Sequence, residues 1–158
     1  MFDVYTLQAR RAVFFARSEA SEFGSDRIES HHLLLGLLRA DAALRDRFLP
    51  SQDAAIRETL VARFPFGKEI PTHADLPISK EAKHNLAYAQ EEASRMKAKC
   101  GPKVRTEHLL LGLLREEGSF AAELLRDRGL ELAAVRKQIA AGPFPDQDDL
   151  LARPPPEF

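Results

Sequence analysis

The sequence predicts an all-α fold made of two pseudo-twofold-related four-helix repeats. Three observations predict it. The octapeptide HLLLGLLR occurs twice without a change, at His32–Arg39 and His108–Arg115, and a faithful repeat of that length marks a duplicated unit. Ahead of each copy, small and apolar residues recur at helical spacing, as Ala9, Val13, Ala16, Ala20 and as Ala82, Leu86, Ala89, Ala93. Such a face lets another helix approach closely. No segment alternates with a period of two for long enough to suggest a sheet.

The elements follow in order. Each first helix comes after a hydroxyl residue, Thr6 or Ser79, placed to cap the helix by accepting a backbone N–H. Gly24 in one unit and Gly101-Pro102 in the other mark the stop. Eleven residues separate Ala20 from His32 and fourteen separate Ala93 from His108, so the second connection is longer by three. Ser30 and Thr106 are expected to cap the second helices. HLLLGLLR is apolar almost all round, the pattern of a helix buried on every side. Glycine costs about 1 kcal/mol relative to alanine inside a helix, so Gly36 and Gly112 imply a compensating close contact between helices.

Two shorter helices complete each unit, from DAALRDRFLP and SQDAAIRETLVARF in the first and from SFAAELLRDRG and LELAAVRKQIAAG in the second. Phe14, Phe15, Phe23, Phe48 and Phe64 are expected in the core. The units span 1–64 and 79–141, joined by a Pro/Gly-containing linker at 65–78. From 142 to 158 the chain is Pro-rich and acidic with little to bury, and is expected to be a mobile tail.

Composition narrows the function. A net charge of −1, from 23 basic and 24 acidic residues, makes no electrostatic case for nucleic acid or an anionic membrane. Cys100 is the only cysteine, so no internal disulfide forms and a reducing, cytoplasmic setting is expected. MFDVYTLQARRAV carries charges within its apolar stretch, unlike a signal peptide. No apolar stretch reaches bilayer-spanning length. The phosphate-cradling pattern G-x-x-x-x-G-K-S/T is absent, which removes the basis for ATP hydrolysis. Without HExxH or a Cys/His cluster, neither metal nor cofactor is expected.

Two units built around Ser/Thr-x-HLLLGLLR, with TEHLLLGLLREEG and the ending LRDRGLELAAVRKQI in the second, resemble the N-terminal domain of Clp-type (Hsp100) AAA+ unfoldases. The ClpC branch is nearest, and the resemblance covers roughly residues 2–141. It implies a non-catalytic module that receives substrates or adaptors, with a Clp-type ATPase, a Clp peptidase or client proteins as partners. It fits a stand-alone protein and the N-terminal domain of a longer ATPase alike, and the Pro-rich tail ending in Phe158 reads as a natural terminus.

In ClpC-like N-domains the residues matching Thr6 and Ser79 help hold the phosphate of phosphorylated arginine, and the residue matching Glu107 pairs with its guanidinium. The chemistry is coherent, because helix N-termini bind anions and carboxylates bind guanidinium. Plainer roles exist beside it. Caps contribute about 1 kcal/mol each, and an acid in a first helical turn from a few tenths to about 1 kcal/mol. His31 stands where the family pattern has glutamate, and imidazole is a poor guanidinium partner. The competent site is therefore expected in the second unit, from Ser79 and Glu107, with His31 doubtful. A small enzyme using His31, His32 or Cys100 is the alternative of another class. Against it, His32 and His108 read as hydrogen-bonded structural histidines and Cys100 as a solvent-facing loop residue.

Overall fold

Each unit does begin on a hydroxyl. In the computed structural model, which describes residues 4–71 and 75–149, Thr6 Oγ1 accepts from Ala9 N and Ser79 Oγ accepts from Ala82 N, both at 3.1 Å. The helices are α1 (Leu7–Phe23), α2 (Ser30–Ala40), α3 (Ala42–Phe48), α4 (Asp53–Arg63), α5 (Lys80–Arg95), α6 (Lys97–Cys100), α7 (Thr106–Arg115), α8 (Phe120–Asp127) and α9 (Leu132–Ala140). Among the described residues the only extended pairings are two isolated parallel bridges, Tyr5 with Val104 and Ile28 with Ile78. The first unit is α1–α4, and the second is α5 with α7–α9. The short α6 lies in the longer second connection, and Cys100 ends it half-buried against the core rather than in a solvent-facing loop.

Helices α2 and α7 run through the core, buried along nearly their whole length. Their glycines sit where the backbones touch. A Cβ on Gly36 would overlap Ala12 O and stand 2.6 Å from Ala16 N, while one on Gly112 would overlap Asn85 O and stand 3.1 Å from Ala89 N. The small faces of α1 and α5 are what admit this approach. Phe15, Phe23 and Phe48 join the core and Phe64 packs partly against it. Phe14 does not, being 60% exposed, because it lies a helical step of about 100° from Phe15, which holds the buried face.

The second helices are capped differently from expectation. Ser30 and Thr106 are first helical residues, and Glu29 and Arg105 hold the N-cap positions. The N–H of each is accepted by an imidazole three residues on, Glu29 N to His32 Nδ1 and Arg105 N to His108 Nδ1, both 2.9 Å. The hydroxyls turn inward: Ser30 Oγ donates to Asn85 Oδ1 and Thr106 Oγ1 to Asp41 Oδ2.

Each unit also buries a carboxylate at its centre. Glu19 of α1 accepts two hydrogen bonds of 2.9 Å from Arg57 of α4 and faces Arg39, the last letter of the first octapeptide, at 3.7 Å. In the same way Glu92 of α5 is held by Arg136 of α9 and by Arg115, the last letter of the second octapeptide. The final arginine of the repeated motif thus ties the central helix to its neighbours.

Candidate functional site

The two units exchange their edges. Thr6 N donates to Val104 O and Val104 N to Val4 O, placing the N-terminus of α1 beside that of α7. Ile28 N donates to Pro77 O and Ser79 N to Ile28 O, placing the N-terminus of α5 beside that of α2. The groove that contains Glu107 is therefore completed by Thr6 of the other unit. Ser79 instead lies next to the start of α2, where His31 sits, so the expected pairing of Ser79 with Glu107 is not the one the fold makes.

Glu107 is 3% exposed and closely held. Its carboxylate accepts from Arg105 Nε at 3.2 Å and Nη2 at 3.2 Å and from Gln147 Nε2 at 2.8 Å. Beside it opens a cavity of about 250 Å³ lined by Asp41, Leu44, Arg47, Pro143 and Gln147, among others. Across the groove, the first-turn amides of α1 face acceptors: Leu7 N meets Asp148 Oδ1 at 3.0 Å, Gln8 N meets Gln147 O at 3.0 Å, and Ala9 N meets Thr6 Oγ1. A carboxylate that already holds a guanidinium lies opposite amides that already hold an anion. The groove thus holds a carboxylate, which can pair with a guanidinium, and helix-start amides, which can bind an anion.

Part of this arrangement comes from the segment that composition marks as a mobile tail. Residues 142–149 lie against the helices, with Gln147 only 2% exposed. Its side-chain oxygen accepts from Thr6 Oγ1 and from Thr106 N, and its nitrogen donates to Thr106 Oγ1 as well as Glu107. One amide side chain making four hydrogen bonds to three residues helps to anchor a segment whose average composition promises no burial. Residues 150–158 lie outside the described residues. Desolvation would raise the Asp148 pKa, but the Lys103 ammonium at 3.0 Å and the Leu7 amide outweigh it and hold the carboxyl below its ordinary range.

The other groove is unlike this one. His31 is 6% exposed and stacked on Phe64 at 3.9 Å. Burial, with a contribution from Arg63, lowers its pKa to about 4, so the imidazole is neutral near pH 7. It brings an aromatic wall where the first groove has a carboxylate. Burial likewise lowers His32 to about 3 and His108 to about 4. Each uses Nδ1 for capping and leaves Nε2 buried without a hydrogen-bond partner. Burial also pushes the Cys100 thiol up, and Glu107 adds to the effect, opposite to what an activated nucleophile needs. Among the described residues no group of three or more His, Cys, Asp or Glu side chains could hold a metal ion, and no helix is long and apolar enough to cross a membrane.

The family model for the Clp repeat (R) N-terminal domain matches residues 77–157, just over half of the chain. The chain belongs to that family. Over 142 residues this Clp N-domain is 31% identical to the chaperone protein ClpB of Oceanobacillus iheyensis, covering 88% of the chain and 17% of that protein. Over 144 residues it is 29% identical to the chloroplastic chaperone protein ClpC of Pisum sativum, covering 88% of the chain and 15% of that protein. The chain therefore spans about a sixth of the length of these relatives, and two percentage points of identity do not assign it to a branch. Among solved structures, the N-terminal domain of the caseinolytic protease associated chaperone ClpD from Arabidopsis thaliana superposes with a TM-score of 0.70. That match has 25% identity and covers 90% of this chain and 97% of the other.

Arg105, Gln147 and Asp148 have no counterpart in a reading of the sequence for caps and motifs. Glu19 and Glu92 did leave a signal, because they stand 73 positions apart, as Ala9 and Ala82 do.

Proposed function

We propose that this Clp N-domain is a non-catalytic module that receives client proteins or adaptors for a Clp-type AAA+ ATPase or Clp peptidase in the cytoplasm. Its recognition element is the groove between α1 and α7, and its ligand there is a phosphoarginine side chain on a tagged protein. The observation that carries the reading is that Thr6 and Glu107, from different units, both hydrogen-bond the side chain of Gln147 and so lie close together. Phosphate would take the Leu7 and Gln8 amides and the Thr6 hydroxyl, and the guanidinium would take Glu107 in place of Arg105. The α2/α5 groove, with Ser79 but with His31 in place of a carboxylate, lacks the second half and is not expected to bind. A stand-alone protein and the N-terminal module of a longer ClpC-like ATPase would use the groove in the same way.

Calorimetric titration with a phosphoarginyl peptide tests this. One site per chain is expected. Glu107→Gln loses a charge-assisted hydrogen bond worth about 1.5–3 kcal/mol, hence more than about tenfold in affinity. His31→Ala should bind as the unmodified chain does. Two sites in the unmodified chain, or full affinity in Glu107→Gln, would overturn the reading.

A further inference from the structure

The α1/α7 groove is not open. Gln147 O and Asp148 Oδ1 already occupy the Gln8 and Leu7 amides, while the Gln147 side chain lies across Thr6, Thr106 and Glu107. The segment is fastened on both sides of that contact. Arg105 Nη2 donates to Pro145 O at 2.8 Å, Arg47 Nη2 donates to Gly142 O at 3.0 Å, and Lys103 pairs with Asp148 at 3.0 Å. We propose that residues 143–148 are a cis ligand, an acidic strap that closes this groove and has to leave before an anionic side chain of a partner protein can enter.

Three features support competition rather than simple packing. The strap places a carboxylate on helix N-terminal amides, the position an incoming anion would take. It touches the groove through polar atoms that an incoming ligand would also use. The corresponding segment of the first unit behaves otherwise. After α4 it lays Phe64 on His31 but fastens its backbone to the C-terminal end of α1, by Gly67 N to Phe23 O and Ile70 N to Ser21 O. Among the described residues no acceptor meets the Lys80 or Glu81 amide of α5, so the chain covers His31 of the second groove with an aromatic ring but sets no carboxylate or carbonyl on its helix-start amides.

The inference rests on the α1/α7 groove being a binding site, and the test separates the two claims. The full chain is compared with its Gln147→Ala/Asp148→Ala variant by amide hydrogen exchange and by anisotropy with a labelled GPFPDQDD peptide, the sequence of residues 142–149. The strap lies outside every helix, so the variant is expected to fold. Leu7 and Gln8 should exchange at least about tenfold faster in the variant, with Ala9, held by Thr6, unchanged as a control. The peptide should bind the variant and not the unmodified chain. Lys103→Ala, which removes only the ion pair, should show an intermediate rate at Leu7. Unchanged exchange at Leu7 and Gln8, no peptide binding to the variant, or equal binding to both forms would overturn the strap. A phosphoarginyl peptide should bind the variant at least about tenfold more tightly, since a closed fraction lowers apparent affinity in proportion. Equal affinity for both forms overturns the gating alone. Binding to neither counts against the phosphoarginine reading, and the strap is then decided by exchange and by its own peptide.

Discussion

Arg136 holds Glu92 through two parallel hydrogen bonds, Nε to Oε1 at 2.8 Å and Nη2 to Oε2 at 2.9 Å, although the glutamate has no exposed surface. Desolvation opposes this charge, yet Arg136, Arg115 and Arg95 outweigh it and keep the Glu92 carboxyl below its ordinary range. Breaking a buried ion pair by removing one partner costs about 3–5 kcal/mol. Glu92→Ala should lose stability of that order in urea unfolding. Arg136→Ala should lose less, because Arg115 still faces the carboxylate at 3.1 Å. An unfolding midpoint unchanged in Glu92→Ala would show that the pair does not stabilise the fold.

Gly112 tests the helix contact. Replacement by alanine gains about 1 kcal/mol of helix propensity, but the new methyl group would overlap the Asn85 carbonyl. Overpacking of this kind costs about 1–3 kcal/mol, and the obstacle here is backbone, which yields least. Gly112→Ala should melt below the unmodified chain, and Gly112→Leu lower still. A raised melting temperature in either would mean that α5 and α7 are not in contact at this point.

The histidines make stability depend on pH. His31 and His108 are lowered to about 4 and His32 to about 3, against an ordinary 6.5. Because the folded values lie below the unfolded one, the unfolded chain binds more protons between pH 6.5 and 4. Their contribution is complete above pH 6.5 and is lost as the pH falls toward the folded values. Glutamine at the third helical position can accept from the N-cap amide without titrating. The fall in melting temperature from pH 7 to pH 5 should therefore be smaller in His32→Gln/His108→Gln than in the unmodified chain. Parallel curves for the two proteins would contradict this.

What was legible in the sequence was local. Thr6 and Ser79 cap through a hydroxyl three residues from its donor, and Gly36 and Gly112 reveal a tight contact because nothing else explains glycine among leucines. The caps of α2 and α7 lie one residue before Ser30 and Thr106, since a serine or threonine before an apolar run signals an N-cap by type, while the imidazoles of His32 and His108 supply the acceptors. The partnership of Thr6 with Glu107 was not legible. Each repeat carries a hydroxyl cap, Thr6 or Ser79, and only the bridges between Tyr5 and Val104 and between Ile28 and Ile78 fix which of them lies beside Glu107. The strap was hidden for a different reason. Its hold rests on individual polar contacts of Gln147, Asp148 and the Gly142 and Pro145 carbonyls, and composition averaged over a Pro-rich acidic segment cannot register them.

In the proposed site between the units, the α1 N-terminus takes the phosphate and Glu107 takes the guanidinium. Amide chemical shifts followed while a phosphoarginyl peptide is added to the full chain test this assignment most directly. Saturable shifts are expected at Leu7, Gln8 and Glu107, with silence at Lys80–Ala82 and loss of the response in Glu107→Gln. Shifts at Lys80–Ala82 with Leu7 and Glu107 silent would contradict it and place recognition at Ser79 instead.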